Sequence, residues 1–236
     1  MLHLRSLLFN LGMWITIPPF ALLAILLIPL PAVTRSRIVG GWAHFIMWWL
    51  RVTCGLSYRV IGRENIPAHA SVVLSKHQSA WETIAFQTIF PPQIWVMKRE
   101  LLWIPFFGWA LAAVSAIAID RSGGREALKQ LVAQGDNRLK RGLWVVIFPE
   151  GTRITPGERG KYHIGGAWLA THTGATVVPV AHNAGEFWKK RGLLKYPGVI
   201  TVSVGEPINA ANMKTDELNQ QVEAWIEAEM PRLKTL

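Results

Sequence analysis

Cysteine and acidic residues are scarce in this chain. Cys54 is the only cysteine among 236 residues, which excludes an intrachain disulfide and a zinc site built from several thiolates. Asp and Glu number 15 against 25 Lys and Arg. Residues 1–63 contain none of these acids but six arginines, and so carry six of the ten net positive charges. Because half of all residues are apolar, an intrinsically disordered chain is excluded as well.

The basic excess lies in the most apolar part of the chain, which points to an anionic membrane surface rather than to nucleic acid. A nucleic-acid-binding protein would carry clustered Lys and Arg with exposed aromatic side chains on a polar domain. The 12 tryptophans suit the headgroup layer of a bilayer, although any one of them suits a protein core equally well. We therefore expect a lipid bilayer among the partners, and no nucleic acid.

Residues 1–54 predict a membrane-associated helical hairpin. The stretch 6–34 has no charged residue and exceeds the ~20 apolar residues that span a bilayer. Pro29 and Pro31 indicate a turn, and a second apolar stretch, 38–50, follows. Arginines lie before the first helix, near the turn and after the second helix, so a bilayer-crossing hairpin would place some of them on the non-cytoplasmic side. Membrane proteins tend to keep arginines on the cytoplasmic side, which disfavours such a hairpin. We expect a hairpin that enters one leaflet, with a spanning first helix as the alternative. The apolar run is too long for a cleaved signal peptide.

Residues 55–236 predict an α/β domain. Short β-branched runs alternate with helical stretches, which indicates a mostly parallel central sheet with flanking helices. The runs 144–148 and 177–180 are apolar at nearly every position, as in strands covered on both faces. The predicted strands are 58–61, 71–74, 94–97, 116–119, 144–148, 176–181 and 199–204, and the predicted helices are 82–90, 125–140, 165–173 and 216–229. Gly174 should end the third of these helices, and Thr215 should cap the last.

His77 and Glu82 follow a predicted strand, at the edge where ligands of open α/β sheets bind. On one straight helix their side chains would point about 140° apart. The two can therefore meet only if His77 lies in the loop and Glu82 in the first helical turn. A carboxylate on one imidazole nitrogen would fix the tautomer and leave the other nitrogen free as a base. Taken alone, the pair could also be a surface histidine near an unrelated glutamate.

Cationic side chains follow three further predicted strands. In the segment 148–153, Gly151 permits an unusual backbone angle, Thr152 can donate a hydrogen bond, and Arg153 offers a planar guanidinium suited to phosphate. Lys98 and Arg121 follow two other strands. Each cation alone could be a solvated strand end. Three predicted strands thus end in a cation at the same edge of the sheet as His77. This pattern predicts a basic pocket that holds a phosphate beside a base.

Taken together, these motifs resemble the glycerolipid acyltransferase family, the 1-acylglycerol-3-phosphate acyltransferases. The likeness covers roughly residues 55–210 and the hairpin. Its pieces are His77-x4-Glu82, the segment 108–121 ending in Ile119-Asp120-Arg121, the segment 148–153, and Val177-Val178-Pro179-Val180. The resemblance implies that His77 is the general base and that the acid partner orients it. It also implies that the acceptor phosphate binds at Arg121, Glu150, Gly151, Thr152 and Arg153.

The function implied by the resemblance is acyl transfer from acyl-CoA or acyl-carrier protein to the sn-2 hydroxyl of lysophosphatidic acid, which gives phosphatidic acid in phospholipid biosynthesis. Lys98 is a further substrate-binding candidate, as a group that stabilises the oxyanion. No cofactor is expected beyond the thioester co-substrate. No metal is expected either, because His163, His172 and His182 lack close carboxylate neighbours along the chain. The expected location is a membrane, at the cytoplasmic face of a bacterial inner membrane.

Glu82 departs from the aspartate that is usual in this family, and the departure leaves other acceptors open. One alternative is an acyltransferase acting on another lyso-lipid, of the lyso-ornithine lipid or lipid A type, since lipid A secondary acyltransferases share the His-x4-acid pattern. Another is a membrane-bound serine hydrolase that uses Ser79 as nucleophile, although the Gly-x-Ser-x-Gly elbow is missing. The last is a non-enzymatic binder of anionic lipid, which would account for residues 1–63 but not for the strand-end groups.

Overall fold

The computed structural model describes residues 1–120 and 123–233. Within them, two long helices precede eight strands and six further helices. The helices are α1 (Leu2–Leu26), α2 (Ala32–Cys54), α3 (Trp81–Ile89), α4 (Phe107–Ala113), α5 (Gly124–Lys140), α6 (Gly165–Thr173), α7 (Ala184–Phe187) and α8 (Thr215–Arg232). The strands are β1 (Leu56–Ile61), β2 (Val72–Ser75), β3 (Gln93–Lys98), β4 (Ile117–Ile119), β5 (Trp144–Ile147), β6 (Thr176–His182), β7 (Gly198–Val204) and β8 (Ile208–Asn209).

The strands form one sheet in the order β1-β7-β6-β2-β5-β3-β4, and β8 pairs with the start of β6. Neighbouring strands are parallel except that β7 and β8 run antiparallel to β6, so the predicted mostly parallel sheet is confirmed. Because β2, β5, β3 and β4 are successive parallel neighbours, their carboxyl ends share one edge of the sheet. The loops that leave this edge carry the predicted site residues.

Helices cover both faces of the sheet, and the strands feed two separate cores. In β2, Val73 packs into the core that α2 and α3 complete, whereas Val72 and Leu74 pack into the core with α5, α6 and α8. Every residue of β2 and β5 is buried, as expected for strands covered on both faces. Ile46 and Leu50 of α2 belong to the first core, so the predicted hairpin shares its packing with the domain that follows. The division of the chain at residue 54 remains a prediction.

The hairpin of α1 and α2 lies along the domain. Near the start of α1, Asn10 Oδ1 accepts a hydrogen bond from Lys195 Nζ (2.7 Å). Beyond the other end of α1, the guanidinium of Arg35 donates to the Ile28 carbonyl (2.8 Å) in the turn and to Ser115 Oγ (2.9 Å), which follows α4. A helix of this length extends about 37 Å. Since α1 itself also packs directly against α4, it lies along the domain surface.

The face of α1 turned away from the domain is apolar and exposed. By length and composition α1 could cross a membrane, with a mean hydropathy of 1.7 over its most apolar stretch. Its exposed large side chains recur every three or four residues and so share one side of the helix. They are Leu4, Leu7, Leu8, Leu11, Trp14, Ile15, Leu22 and Leu26.

The prediction missed three elements, each for a local reason. β8 and α7 are two and four residues long, too short to produce a pattern. α4 follows a run of aromatic and apolar residues that has no helical period, and it is fixed by packing against α1. In contrast, Gly174 ends α6 in the left-handed conformation (φ +66°), as predicted. The prediction that Thr215 caps the last helix is wrong, because Thr215 is the first residue of α8 and its hydroxyl lies 2.9 Å from Thr171 Oγ1.

Candidate active site

His77 and Glu82 meet in the geometry that their spacing requires. His77 lies in the loop after β2, and Glu82 is the second residue of α3. His77 Nδ1 lies 2.8 Å from Glu82 Oε1. Because an ionised carboxylate only accepts hydrogen bonds, Nδ1 carries the proton and Nε2 keeps its lone pair.

Glu82 is fully buried, and main-chain donors bind its carboxylate. The amide N–H groups of Gln78 and Ser79 donate to the same Oε1 atom at 2.9 and 2.7 Å, where the loop turns into α3. Burial by itself raises the pKa of Glu82, but His182, the ring of His77 and the Ser79 amide outweigh it, and the pKa lies below its ordinary value. Glu82 is therefore held as a carboxylate that faces the imidazole.

The ring of His77 is fixed on its flat side as well as at Nδ1. It stacks on Phe148, the residue after β5, with ring centroids 4.1 Å apart and 14° between the planes. The His77 side chain is 14% exposed, and no described residue makes a hydrogen bond to its Nε2 atom. The free nitrogen is thus the part of the ring available to a ligand at the sheet edge.

Glu150 is buried beneath this loop and is held by groups of the protein. Its Oε2 atom accepts a hydrogen bond from the His77 main-chain N–H (2.8 Å), and its Oε1 atom lies 2.7 Å from Lys76 Nζ. Burial raises the pKa of Glu150, and the bonds to Lys76 and His77 offset only part of that shift. The resemblance places Glu150 at the acceptor phosphate, whereas here both carboxylate oxygens are directed at the chain itself.

Lys76 is a buried cation that links three parts of the fold. It is 1% exposed, and besides Glu150 it contacts Glu227 Oε1 of α8 at 2.8 Å. The Tyr162 hydroxyl donates to the same Glu227 oxygen at 2.8 Å. The loop that carries His77, the loop after β5 and the last helix are therefore joined by one buried chain of charged and polar groups.

His182 is the second histidine near Glu82, and it is fully buried. Its Nε2 atom lies 2.9 Å from the Lys76 carbonyl, and its Nδ1 atom accepts the Ala184 main-chain N–H (3.3 Å). A ring that donates through Nε2 and accepts through Nδ1 is neutral. Burial lowers the pKa of His182, in agreement with that assignment, and Glu82 offsets part of the shift. His182 supports the backbone just before His77 and is not exposed at the edge of the sheet.

The segment 148–153 forms a turn that docks on the histidine loop. Gly151 has φ +65°, a conformation that side chains disfavour, and the Ile154 N–H donates to the His77 carbonyl (2.7 Å). Thr152 is exposed and Arg153 is half-buried. The docking places the predicted phosphate-binding residues beside His77.

One of the remaining predicted cations, Lys98, lies further along the same edge. Lys98 is the exposed last residue of β3, and β3 lies between β5 and β4. Arg121 lies outside the described residues. A pocket of about 370 Å³ opens at the end of β4, between Arg99, Asp120 and the start of α5. The cationic strand ends therefore share an edge with His77.

Ser79, the nucleophile of the hydrolase alternative, has a structural role. It is fully buried, its Oγ donates to the Trp188 carbonyl (2.6 Å), and the Trp81 N–H donates to the same Oγ (3.1 Å). A buried hydroxyl with both of these bonds is unavailable to an acyl substrate. Of the two mechanisms considered for His77, this arrangement suits a base that acts on the substrate's own hydroxyl.

Comparison with known proteins agrees with this geometry. Residues 57–183 match the Acyltransferase family, and a 1-acyl-sn-glycerol-3-phosphate acyltransferase of Pseudomonas aeruginosa is 50% identical over 211 residues, 88% of this chain and 82% of that protein. The chain belongs to the Acyltransferase family. A 1-acyl-sn-glycerol-3-phosphate acyltransferase of Saccharomyces cerevisiae is 30% identical over 185 residues, 74% of this chain and 59% of that protein. The crystal structure of the LPA acyltransferase PlsC of Thermotoga maritima superposes with a TM-score of 0.81 at 22% identity, covering 99% and 96% of the two chains, which shows a common fold.

Four residues that build this acyltransferase site were not predicted from the sequence: Lys76, Tyr162, His182 and Glu227. They are brought together from the ends of β2 and β6, the long loop after β5, and α8. Lys76 lies next to His77 in the chain, but the local sequence does not distinguish it from a solvated strand-end lysine such as the exposed Lys98.

Replacement of Glu82 tests how His77 depends on its carboxylate. Glu82→Gln keeps the size and removes the charge, so we expect kcat to fall about 100-fold or more with little change in the acceptor KM, because the imidazolium exists only as the proton moves. Glu82→Asp keeps the charge but shortens the side chain by about 1.5 Å. One oxygen accepts three bonds of 2.7–2.9 Å here, so this variant should also lose activity.

Steady-state kinetics of the folded variants, with circular dichroism as the folding control, provide the measurement. A fully active Asp variant would mean that the loop after β2 accepts either length. A fully active Gln variant would remove Glu82 from the mechanism.

Proposed function

We propose that this chain transfers a fatty acyl group from an acyl thioester, acyl-CoA or acyl-carrier protein, to the free sn-2 hydroxyl of lysophosphatidic acid, giving phosphatidic acid. The observation that carries the proposal is His77, whose Nδ1 is held by a buried carboxylate while Nε2 is free at the cationic edge of the sheet. The Pseudomonas aeruginosa relative, named for acylation of 1-acyl-sn-glycerol-3-phosphate, supports this choice of acceptor.

The reaction follows from the state of His77. The Nε2 lone pair takes the proton of the acceptor hydroxyl as its oxygen attacks the thioester carbonyl carbon. The carbonyl oxygen becomes an oxyanion in the tetrahedral intermediate, for which Lys98 is the candidate cation. When the carbonyl re-forms, the C–S bond breaks and the thiolate leaves, taking the proton from the imidazolium. Glu82 stabilises the imidazolium between the two proton transfers, so no acyl-enzyme and no further co-reactant is needed.

The acceptor phosphate is assigned to the turn that docks on the histidine loop. The Gly151 N–H donates to the Phe148 carbonyl (2.9 Å), so Gly151 shapes the turn. Thr152 can offer its hydroxyl as a donor there, and Arg153 offers a guanidinium fork that matches two phosphate oxygens. Arg121 is assigned to the same phosphate by the resemblance. A dianionic headgroup held beside Nε2 would place the glycerol hydroxyl within reach of the base.

We assign Glu150 a different role from its neighbours, namely that of a positioning residue. One of its oxygens is engaged by Lys76 and the other by the His77 N–H, and its side chain is fully buried. A phosphate could therefore approach this carboxylate only by displacing Lys76. A carboxylate would in addition repel a phosphate dianion. Glu150 therefore fixes the backbone of His77, while Arg153 contacts the substrate.

Kinetics of two neighbouring variants separate these roles. Arg153→Ala should raise the acceptor KM about 10- to 150-fold, the equivalent of one charge-assisted hydrogen bond. Glu150→Gln should instead lower kcat and leave the acceptor KM nearly unchanged, because it loosens His77 and not the phosphate. Glu158→Gln, an exposed acid of the same loop, is the matched control and should change neither parameter. A large KM effect of Glu150→Gln would return Glu150 to the phosphate site.

The membrane partner and the location belong to the same proposal. An α1 that contacts the domain through Asn10 and through α4, and that exposes an apolar face, suits insertion into one leaflet better than a crossing. The acyl-CoA or acyl-carrier protein donor is water-soluble and cytoplasmic, so the cytoplasmic face of a bacterial inner membrane is the proposed site of action. The lyso-lipid would then reach His77 without leaving the bilayer.

A panel of lyso-lipids tests the function directly. The purified protein is offered lysophosphatidic acid, lyso-ornithine lipid and a lipid A precursor, each with acyl-CoA and with acyl-carrier protein, and the products are identified by mass. We expect phosphatidic acid as the main product. Acylation of another lyso-lipid in its place would overturn the acceptor, and turnover of none would favour the non-enzymatic lipid binder.

A further inference from the structure

The segment after β3 exposes an unusual density of large apolar side chains. In seven residues, 103–109, five such side chains are more than one-third exposed. They are Trp103 (80%), Ile104 (44%), Phe106 (37%), Phe107 (39%) and Trp109 (47%). Isolated apolar residues on a protein surface need no explanation, whereas a contiguous group of this size marks an interaction site. We call these residues the aromatic segment.

The backbone displays these rings to solvent. Phe106 has φ +60° and ψ −55°, and the Phe107 N–H donates to the Pro105 carbonyl (2.7 Å), which together form a γ-turn of the rare, strained kind. The turn places the Phe106 ring against Trp109, with centroids 5.0 Å apart. A strained turn that keeps a pair of aromatic rings at the surface indicates a function for those rings.

The aromatic segment adjoins the hairpin. Its last residues form the start of α4, and α4 packs directly against α1. Phe107 and Trp109 of the segment are therefore carried by a helix that packs against the hairpin. Exposed arginines lie on α2, at Arg37 and Arg51, and directly after β3, at Arg99. Tryptophans at the rim of an apolar face flanked by arginines suit the headgroup layer of an anionic bilayer.

We propose that the aromatic segment is a second membrane-contacting element, which inserts beside the hairpin into the same leaflet of an anionic bilayer. The proposal rests on the membrane association proposed above for α1. The new element is that the membrane-contacting surface of the protein extends from the hairpin to the end of β3. The chain enters the segment directly from Lys98, and β3 neighbours β5, whose next residue, Phe148, stacks on His77. Headgroups would thus lie along the edge of the sheet that holds the base.

The single cysteine of the chain makes the test direct. Cys54 is buried, so a Cys54→Ala background allows one fluorophore whose emission depends on polarity to be attached at a chosen surface position. Three single-cysteine variants are compared: Trp103→Cys in the aromatic segment, Ile15→Cys on the exposed face of α1, and Lys129→Cys on α5, which covers the opposite face of the sheet. Each is mixed with vesicles of phosphatidylglycerol and phosphatidylethanolamine, with and without lipids that carry a spin-label quencher in the acyl chain.

We expect labels at positions 103 and 15 to shift to shorter wavelength on addition of vesicles and to be quenched by the spin-labelled lipid, while the label at position 129 does neither. A response at position 15 without one at position 103 would overturn the second element and leave the membrane association of α1 in place. No response at either position would overturn both. Phosphatidic acid formation from a water-soluble, short-chain lysophosphatidic acid, measured on the same variants, reports the proposed reaction independently of the membrane.

Discussion

His77→Ala should lower turnover about 100- to 10,000-fold while leaving the protein folded and bound to lipid. This is the usual loss when a general base is removed. The reason lies in the single free nitrogen at the sheet edge: Nε2 of His77 has no partner among the described residues, and the second histidine near Glu82, His182, is buried with both of its nitrogens engaged. His182 therefore cannot take over as the base.

The measurement is the rate of phosphatidic acid formation at saturating substrate, with vesicle co-sedimentation as the control for lipid binding. His163→Ala, an exposed histidine after the same turn, is the matched control and should retain full activity. Near wild-type turnover of a folded His77→Ala variant would exclude the mechanism proposed here.

Lys76→Met should destabilise the fold by about 3–5 kcal/mol, because it leaves the buried carboxylate of Glu150 without its cation. The side chain is 1% exposed and bridges Glu150 and Glu227, so water cannot replace the lost partner. The double variant Lys76→Met/Glu150→Gln should recover part of the loss, since it removes the charge of one of the two orphaned carboxylates.

Urea denaturation of the variants tests this expectation. The control is Lys140→Met, which breaks the exposed pair of Lys140 with Asp136 and should cost at most about 1 kcal/mol, although that pair is as short, at 2.6 Å. A Lys76→Met variant no less stable than Lys140→Met would mean that the buried cation contributes nothing net to folding.

Much of the fold could be predicted from the sequence, because its signals are local. Continuous apolar runs such as 144–148 predict strands buried on both faces, and the observed strand β5 is buried throughout. Gly174 ends a helix through its own conformational freedom, and the sequence shows that directly. The proximity of His77 and Glu82 also follows from the sequence, since only a loop followed by a helix start lets side chains five positions apart meet, and α3 begins between them.

What the sequence determined by itself is thus the order of the elements, the edge of the sheet at which the candidate site lies, and the proximity of His77 and Glu82. Only the tertiary structure decided where Glu150 points, because its partners Lys76 and the His77 N–H lie more than 70 positions away along the chain. The same holds for Glu227, which reaches Lys76 from the last helix, and for the aromatic segment, which adjoins α1 only because α4 packs there. The physical reason is common to these cases. The burial of a residue depends on what the rest of the chain packs around it, and the local sequence does not carry that information. Burial in turn decides how much an unpaired charge costs and whether a tryptophan is exposed at the surface.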